Sequence, residues 1–172
     1  MSQSSGYTDE DIEKFLNAHQ QAQQEEQTKS LKKLLSVQDK ISIFKDIDPR
    51  ELKAIVFDLK FVKCDFKDYI VEQNDKSQDI FFIISGECQV YHNNKKVGLL
   101  QAGEIFGESG ALFATKRNAT ILCASKEATL LSFRIDENNM EFCAPAIAKL
   151  YKNLALQINA KLEGLNLAYI SK

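Results

Sequence analysis

The sequence predicts a mostly β domain, a barrel or sandwich of short antiparallel strands, with helices before and after it. Three observations predict it. Between Phe61 and Ile135 the apolar residues fall in short β-branched and aromatic runs with strand-like spacing. Turn residues separate those runs at close intervals, as in closed or doubled antiparallel sheets. Outside that region, toward either terminus, the apolar spacing changes to steps of three and four, the helical period. With 172 residues, 44% of them hydrophobic, the chain can bury a substantial core as one domain.

At the N-terminus Met1 to Gly6 is polar and expected to fray. Thr8 is placed to cap a helix whose first turn holds Asp9, Glu10 and Asp11, and Ile12, Phe15, Leu16 and His19 follow at helical spacing. The run QQAQQEEQ, Gln20 to Gln27, is polar on all sides and reads either as a solvated continuation of the helix or as a flexible joint. Leu31, Leu34 and Leu35 resume an apolar face. Such an element packs on its own domain or docks a partner or a second subunit. Asp48, Pro49 and Glu51 form a helix start, with a capping side chain, proline at the first position and an acid in the first turn; Leu52, Ile55, Val56 and Leu59 are its expected buried stripe.

The strand-like runs are FVKCDF, YIVEQ, DIFFIIS, ECQVYH, KKVGLL, ATILCAS and ATLLSFRI. Asn93 and Asn94 suit a two-residue hairpin, because asparagine accepts positive φ. Asp136 is expected to cap a short helix to about Cys143, and Pro145 suits the first turn of another. There Ile147, Tyr151, Leu154, Ile158, Leu162, Leu165 and Tyr169 make an apolar stripe about six turns long. That stripe needs a surface, either the sheet and N-terminal helix or a second copy of the chain. Gly164 interrupts good helix formers at about 1 kcal/mol relative to alanine and marks a place where the last turn bends or unwinds.

Composition excludes several function classes. Lys and Arg number 22 against 24 Asp and Glu, for a net charge of −2 and no dense basic cluster, which argues against nucleic-acid binding. Cys64, Cys88, Cys123 and Cys143 are widely spaced without a CxxC pair and read as reduced thiols of a cytoplasmic protein. His19 and His92 are the only histidines, too few and too scattered for the metal cluster of a cupin-type enzyme. No serine or cysteine nucleophile with a histidine base and no paired catalytic carboxylates are evident, so no enzyme activity is expected. The polar N-terminus and the absence of a run of about eighteen apolar residues argue against secretion and membrane spanning.

One segment carries binding chemistry: Phe106 to Thr120, FGESGALFATKRNAT. Glycine at 107 permits close backbone approach, and the unpaired N–H groups of a helix starting at Gly107 suit an anion. Gly110 would bring its N–H to the same anion. Arg117 offers a planar fork of donors that fits phosphate oxygens; ionised Glu108 can only accept, so it suits a sugar hydroxyl. Ribose and phosphate combined point to a small sugar phosphate as ligand.

This stretch resembles the phosphate-binding cassette of the cyclic-nucleotide-binding domain family, which includes protein kinase A regulatory subunits and bacterial catabolite activator proteins. The family cassette reads roughly FGE, a few small or apolar residues, a turn, then Pro-Arg and a small residue before a strand. Phe106, Gly107, Glu108, Ala111, Leu112, Arg117, Ala119 and Thr120 fit it. IFFIISGECQVY, Ile80 to Tyr91, resembles the family's hairpin around a Ser-Gly-Glu turn, and VGLLQAGEIFGE, Val97 to Glu108, the strand leading into the cassette. The resemblance runs from about Ile43 to Ala168. It implies a jelly-roll-like β-roll of about eight antiparallel strands, an N-terminal helical segment over 1–45, the roll over 46–135 with its cassette at 103–120, and B/C-type helices over 136–172.

The resemblance further implies a non-enzymatic sensor of cyclic nucleotides, cyclic AMP ahead of cyclic GMP, with a site at Phe106, Gly107, Glu108, Ser109, Gly110, Arg117 and Asn118. No cofactor or metal is expected beyond that ligand. The expected partners are a homodimer mate through the C-terminal helix and an effector protein, since no helix-turn-helix segment follows within the sequence to Lys172. The family's lid over the base would fall to Tyr169, Tyr151 or a leucine of the last helix. Departures from the pattern set out a second reading, a ligand-free scaffold for protein contacts. Lys116 replaces the usual proline and adds a cation beside the phosphate position, Ser109 replaces leucine, and Asn118 leaves base choice open. Lys67 and Asn74 stand where the family prefers turn glycines; asparagine tolerates the left-handed region and lysine does not, so the turn at Lys67 is expected to differ.

Overall fold

The structure is a computed structural model that describes residues 8–135 and 143–170, with side chains described through Gly164. The expected short helix after Asp136 and the lid candidate Tyr169 fall outside what is described.

Helix α1, Asp9–Val37, starts as its sequence requires. Thr8 accepts from the Asp11 amide, and the Asp11 carboxylate accepts from the Thr8 amide, a reciprocal capping box. The helix continues without a break through the glutamine-rich run, every residue of which is exposed. Only its last turns touch the domain: Leu34 is buried, and Leu31 and Val37 pack beside it. Two short 3-10 turns, Gln38–Lys40 and Ser42–Phe44, bring Ile41, Ile43 and Phe44 into the core.

Helix α2, Pro49–Ile55, has the expected cap, with Asp48 accepting the Arg50 amide at 2.7 Å. It ends earlier than its apolar stripe suggested. Val56 and Leu59 belong to strand β1, Val56–Asp65, where β-branched and aromatic residues side by side favour the extended chain. Strand β1 pairs antiparallel with the last strand of the roll, and that long ladder outweighs two further turns of helix.

Eight strands make two antiparallel sheets. In the first, β1 lies beside β8 (Glu127–Ile135), then β3 (Ile80–Ser85), then β6 (Ile105–Phe106). In the second, β2 (Tyr69–Val71) lies beside β7 (Thr120–Cys123), then β4 (Glu87–His92), then β5 (Lys95–Gln101). Asn93 and Asn94 turn β4 into β5 with both φ values positive, as a two-residue hairpin requires. This is the β-roll that the sequence resemblance implied.

The apolar run of β3 explains the layering. Phe81 and Ile83 point between the sheets, with Cys64, Cys88, Cys123 and Leu130, while Ile80 and Phe82 point to the other face, under the helices. A strand covered on both faces reads as a continuous apolar run rather than an alternation. The helical layer over the first sheet includes Leu34, Phe44, Leu52 and Ile55, with Leu150 and Leu154 from helix α4, Ala144–Ile170. Phe44 and Phe133 meet there with ring centroids 5.1 Å apart. Helix α4 runs through Gly164 without interruption, so the helix does not unwind at that residue.

Lys67 corrects an expectation. It adopts φ +71, the left-handed geometry that glycine would take, as does Asn74 at φ +74. The turn therefore keeps its shape with lysine in it. The Lys67 amide donates to Cys123 O at 2.9 Å and the Asp68 carboxylate accepts the Asp65 amide at 2.8 Å, which holds the strained residue in place.

Candidate functional site

Between β6 and β7 the chain forms helix α3, Glu108–Phe113, with Gly107 as its N-cap at φ +84. Glycine is needed there twice over. The left-handed backbone disfavours any side chain, and a Cβ at 107 would lie 2.6 Å from both Arg117 Nη1 and Asp79 O. At Gly110 a Cβ would come within 3.2 Å of Arg117 Nη1. Both glycines thus leave room for a guanidinium beneath α3.

Arg117 is only 4% exposed. Its Nε donates to Ser77 Oγ at 3.0 Å, Nη1 to Gly107 O at 2.8 Å and Nη2 to Asp79 O at 2.6 Å. The guanidinium carbon sits 5.9 Å from the centroid of Phe81, which in turn stacks on Phe106. Its own backbone is tied to the turn at Asn74: the Arg117 amide donates to Asp75 O, and the Asn74 amide to Arg117 O. Burial pulls the Arg117 pKa below its ordinary value, and the nearby carboxylates of Asp79, Glu108 and Asp75 oppose that pull. Asp79 links the site to the sheet. Its carbonyl holds Arg117, and its carboxylate accepts Arg134 Nε at 2.9 Å, a bond that raises the Arg134 pKa.

Glu108 is turned the other way. Its Oε1 accepts Lys161 Nζ from α4 at 3.0 Å, and the same ammonium donates to the Ile105 carbonyl. The two side chains are 22% and 15% exposed, so this pair is partly withdrawn from solvent. The sequence expectation that Glu108 and Arg117 jointly face one ligand is corrected in this respect. They share one cassette, but the acid is engaged by α4 and the cation by main-chain oxygens.

A cavity of about 90 Å³ lies against the cassette, lined by Val71, Phe106, Gly107, Ser109, Gly110, Arg117, Asn118, Ala119 and Ile121. Six of the seven residues expected in the site therefore converge on it. Glu108 is not among its walls, and neither is Lys116, which is exposed rather than set beside a phosphate position. Asn118 is exposed, with its carbonyl accepting His92 Nδ1 at 2.8 Å. A larger groove of about 1270 Å³ between α1 and the α2–β1 corner is lined mainly by glutamines, lysines and the edge of β1, and contains none of the cassette residues. No set of metal-ligating side chains converges among the described residues, and none of their helices is long and apolar enough to cross a membrane.

The residues that sequence reasoning missed are Ser77, Asp79 and Lys161. Ser77 and Asp79 sit in the irregular segment before β3, and their Arg117 partner lies some forty positions away, which no local pattern reveals. Lys161 carried a signal: it stands three residues after Ile158 and seven after Leu154, on the apolar stripe of α4, where a charge needs a partner.

Comparison with known proteins places this geometry. Residues 62–140 match the family model described as the cyclic nucleotide-binding domain. Those residues are similar to the cyclic nucleotide-binding domain family. The chain is 35% identical over 75 residues to a cGMP-dependent protein kinase of Plasmodium berghei, an alignment covering 44% of this chain and 9% of the kinase. Among solved structures it resembles a cyclic nucleotide-binding domain from Methylobacillus flagellatus, with a TM-score of 0.62 and 17% identity over 79% of this chain and 80% of that one. It also resembles cAMP-bound PfPKA-R, with a TM-score of 0.56 and 21% identity over 79% and 48% of the two chains. The chain spans 8–17% of the length of the curated relatives it matches. At these identities the structural likeness speaks for the fold, and the nucleotide-binding domain is a regulatory module within larger kinases and channels.

Proposed function

We propose that this chain is a cyclic-nucleotide sensor that takes cyclic AMP ahead of cyclic GMP and relays binding through its helices to an effector protein or to a second copy of itself. The observation that carries the reading is the cavity bordered by Gly107, Gly110 and Arg117, with Glu108 on the same short helix. Arg117 presents five N–H groups and spends three on Ser77, Gly107 and Asp79, which leaves two for phosphate oxygens. The three fixed bonds preorganise the guanidinium, so binding would cost little side-chain entropy. Glu108 would accept a ribose hydroxyl, and the apolar walls from Val71, Phe106 and Ile121 would border the rest. The module performs no chemistry on its ligand in this reading.

A volume of about 90 Å³ falls well short of the roughly 300 Å³ at the lower end of small-molecule sites. The described form is therefore closed, and the ligand has to open it by binding the open form more tightly. Calorimetric titration with cyclic AMP and cyclic GMP tests the reading. Saturable binding that Arg117→Ala weakens by about tenfold or more supports it, as expected for loss of a charge-assisted pair.

A second reading is favoured by one observation: the cation and the acid of the cassette are both already paired within the protein. A domain that has given up its ligand and kept the fold as a scaffold would look the same. Absence of a thermal shift with either nucleotide at millimolar concentration, in protein whose fold is intact, selects it.

A further inference from the structure

Helix α4 is anchored unevenly. Its first half is buried, with Ala146, Ile147, Leu150 and Leu154 in the core. Asn153 Nδ2 donates to the carbonyls of Ile43 and Lys45, and Gln157 Nε2 to Ser42 Oγ. Beyond Leu154, no described side chain is buried, and Leu156 and Leu162 are more than half exposed. Among the described side chains of this outer half, Lys161 is the one that bonds to the cassette. Its ammonium spans two cassette acceptors at once, the Glu108 carboxylate and the Ile105 carbonyl.

Resting on the nucleotide reading above, we infer that Lys161 is a latch that competes with the ligand for Glu108, so that nucleotide binding releases the outer half of α4 instead of drawing it down as a lid. The geometry sets up the competition. Glu108 holds Lys161 through Oε1 and is absent from the cavity walls, so turning its carboxylate into the cavity to accept a ligand hydroxyl draws it away from the ammonium. Once it leaves, Lys161 keeps a single neutral acceptor, the Ile105 carbonyl, in a partly buried position. An ammonium there loses the partner that offset its desolvation and moves to water with the helix. The inner half keeps its buried leucines and the Asn153 bonds, so the break falls near Gln157.

Linkage makes the latch measurable from both sides. If the closed pair opposes the ligand, removing it must favour the ligand by the same factor. The test uses the full chain, Lys161→Met, which keeps the length of the apolar stem and deletes the charge, and Lys161→Arg, which keeps the charge. Backbone hydrogen exchange of residues 157–164 is followed without ligand and with saturating cyclic AMP or cyclic GMP, alongside calorimetric affinities.

The latch predicts faster exchange at 157–164 when nucleotide binds the wild type, with 147–154 still protected. It predicts fast exchange in Lys161→Met without ligand, and an affinity gain of about fivefold or more in that variant. Lys161→Arg should stay within about twofold of wild type. Nucleotide that slows exchange at 157–164, or equal affinity in wild type and Lys161→Met, overturns the latch while leaving the sensor reading intact. Should neither nucleotide bind wild type or Lys161→Met, although the helix end loosens in the variant, the sensor reading falls and the competition falls with it.

Discussion

Arg117 Nη1 donates to the Gly107 carbonyl at 2.8 Å, and a methyl group placed on Gly107 would meet that same nitrogen at 2.6 Å. The helix start and the arginine are thus built around each other. Gly107→Ala should cost about 3 kcal/mol, from a left-handed alanine plus displacement of the guanidinium from its three acceptors. Urea unfolding checks this. A loss below about 1 kcal/mol would mean that the arginine moves aside freely, and its fixed geometry would no longer be an argument for preorganisation.

Arg117 itself has a structural duty that an ordinary ligand-contacting arginine lacks. Arg117→Ala takes the guanidinium donors from Asp79 O and Ser77 Oγ, leaves Gly107 O with the Ala111 amide alone, and opens a void beside Phe81. Destabilisation of about 3 kcal/mol is expected even without any nucleotide. Arg117→Lys should recover only part of it, because a lysine cannot reach three divergent acceptors with one planar fork. Unfolding midpoints measured in ligand-free buffer give the answer, and a neutral Arg117→Ala would show the side chain to be held far more loosely.

Lys67 carries strain that glycine would relieve. At φ +71 an L residue pays about 1 kcal/mol, of which glycine's looser unfolded chain gives back part. Lys67→Gly should therefore stabilise the domain by about 0.5 kcal/mol, read as a rise in Tm. A fall would show that Lys67 Nζ over the Phe66 ring, 5.3 Å from its centroid, outweighs the backbone strain.

The parts of this fold that were legible beforehand are those governed by nearest neighbours. Asp48 before Pro49, the two asparagines at 93 and 94, and the glycine opening the cassette each act through the backbone within a few positions. Where distant segments decide, sequence reading went astray. Val56 and Leu59 fit a helical stripe as well as a strand, and only the ladder with β8 settles which they join. The direction of Arg117 depends on Ser77 and Asp79, and that of Glu108 on Lys161, both partners from elsewhere in the chain. Residue types thus pointed to the segment that borders the cavity, while the directions of its charged side chains rest on pairings that no local pattern encodes.

The thiols give a pH dependence whose sign follows from burial. Cys88 and Cys123 are opposed on β4 and β7, and Cys64 faces the same interior. Burial pushes the Cys88 thiol up to about 12 and the Cys64 thiol up to about 11, from an ordinary value of 9.0, with neighbouring thiols adding to the shift. Below pH 9 both thiols are neutral folded or unfolded, and their contribution to stability is complete. Between about 9 and 12 the unfolded chain sheds these protons while the folded chain holds them, so stability falls as pH rises. Urea midpoints for wild type should drop more steeply from pH 8 to pH 10.5 than those of the Cys64→Ala, Cys88→Ala double variant, which lacks both groups. Labelling at pH 7.5 gives an independent check: half-buried Cys143 should react with a disulfide reagent first, and the three interior thiols only on unfolding. Equal slopes for the two proteins, or four thiols labelled at one rate in the folded state, would show the interior of the roll to be open to water and hydroxide.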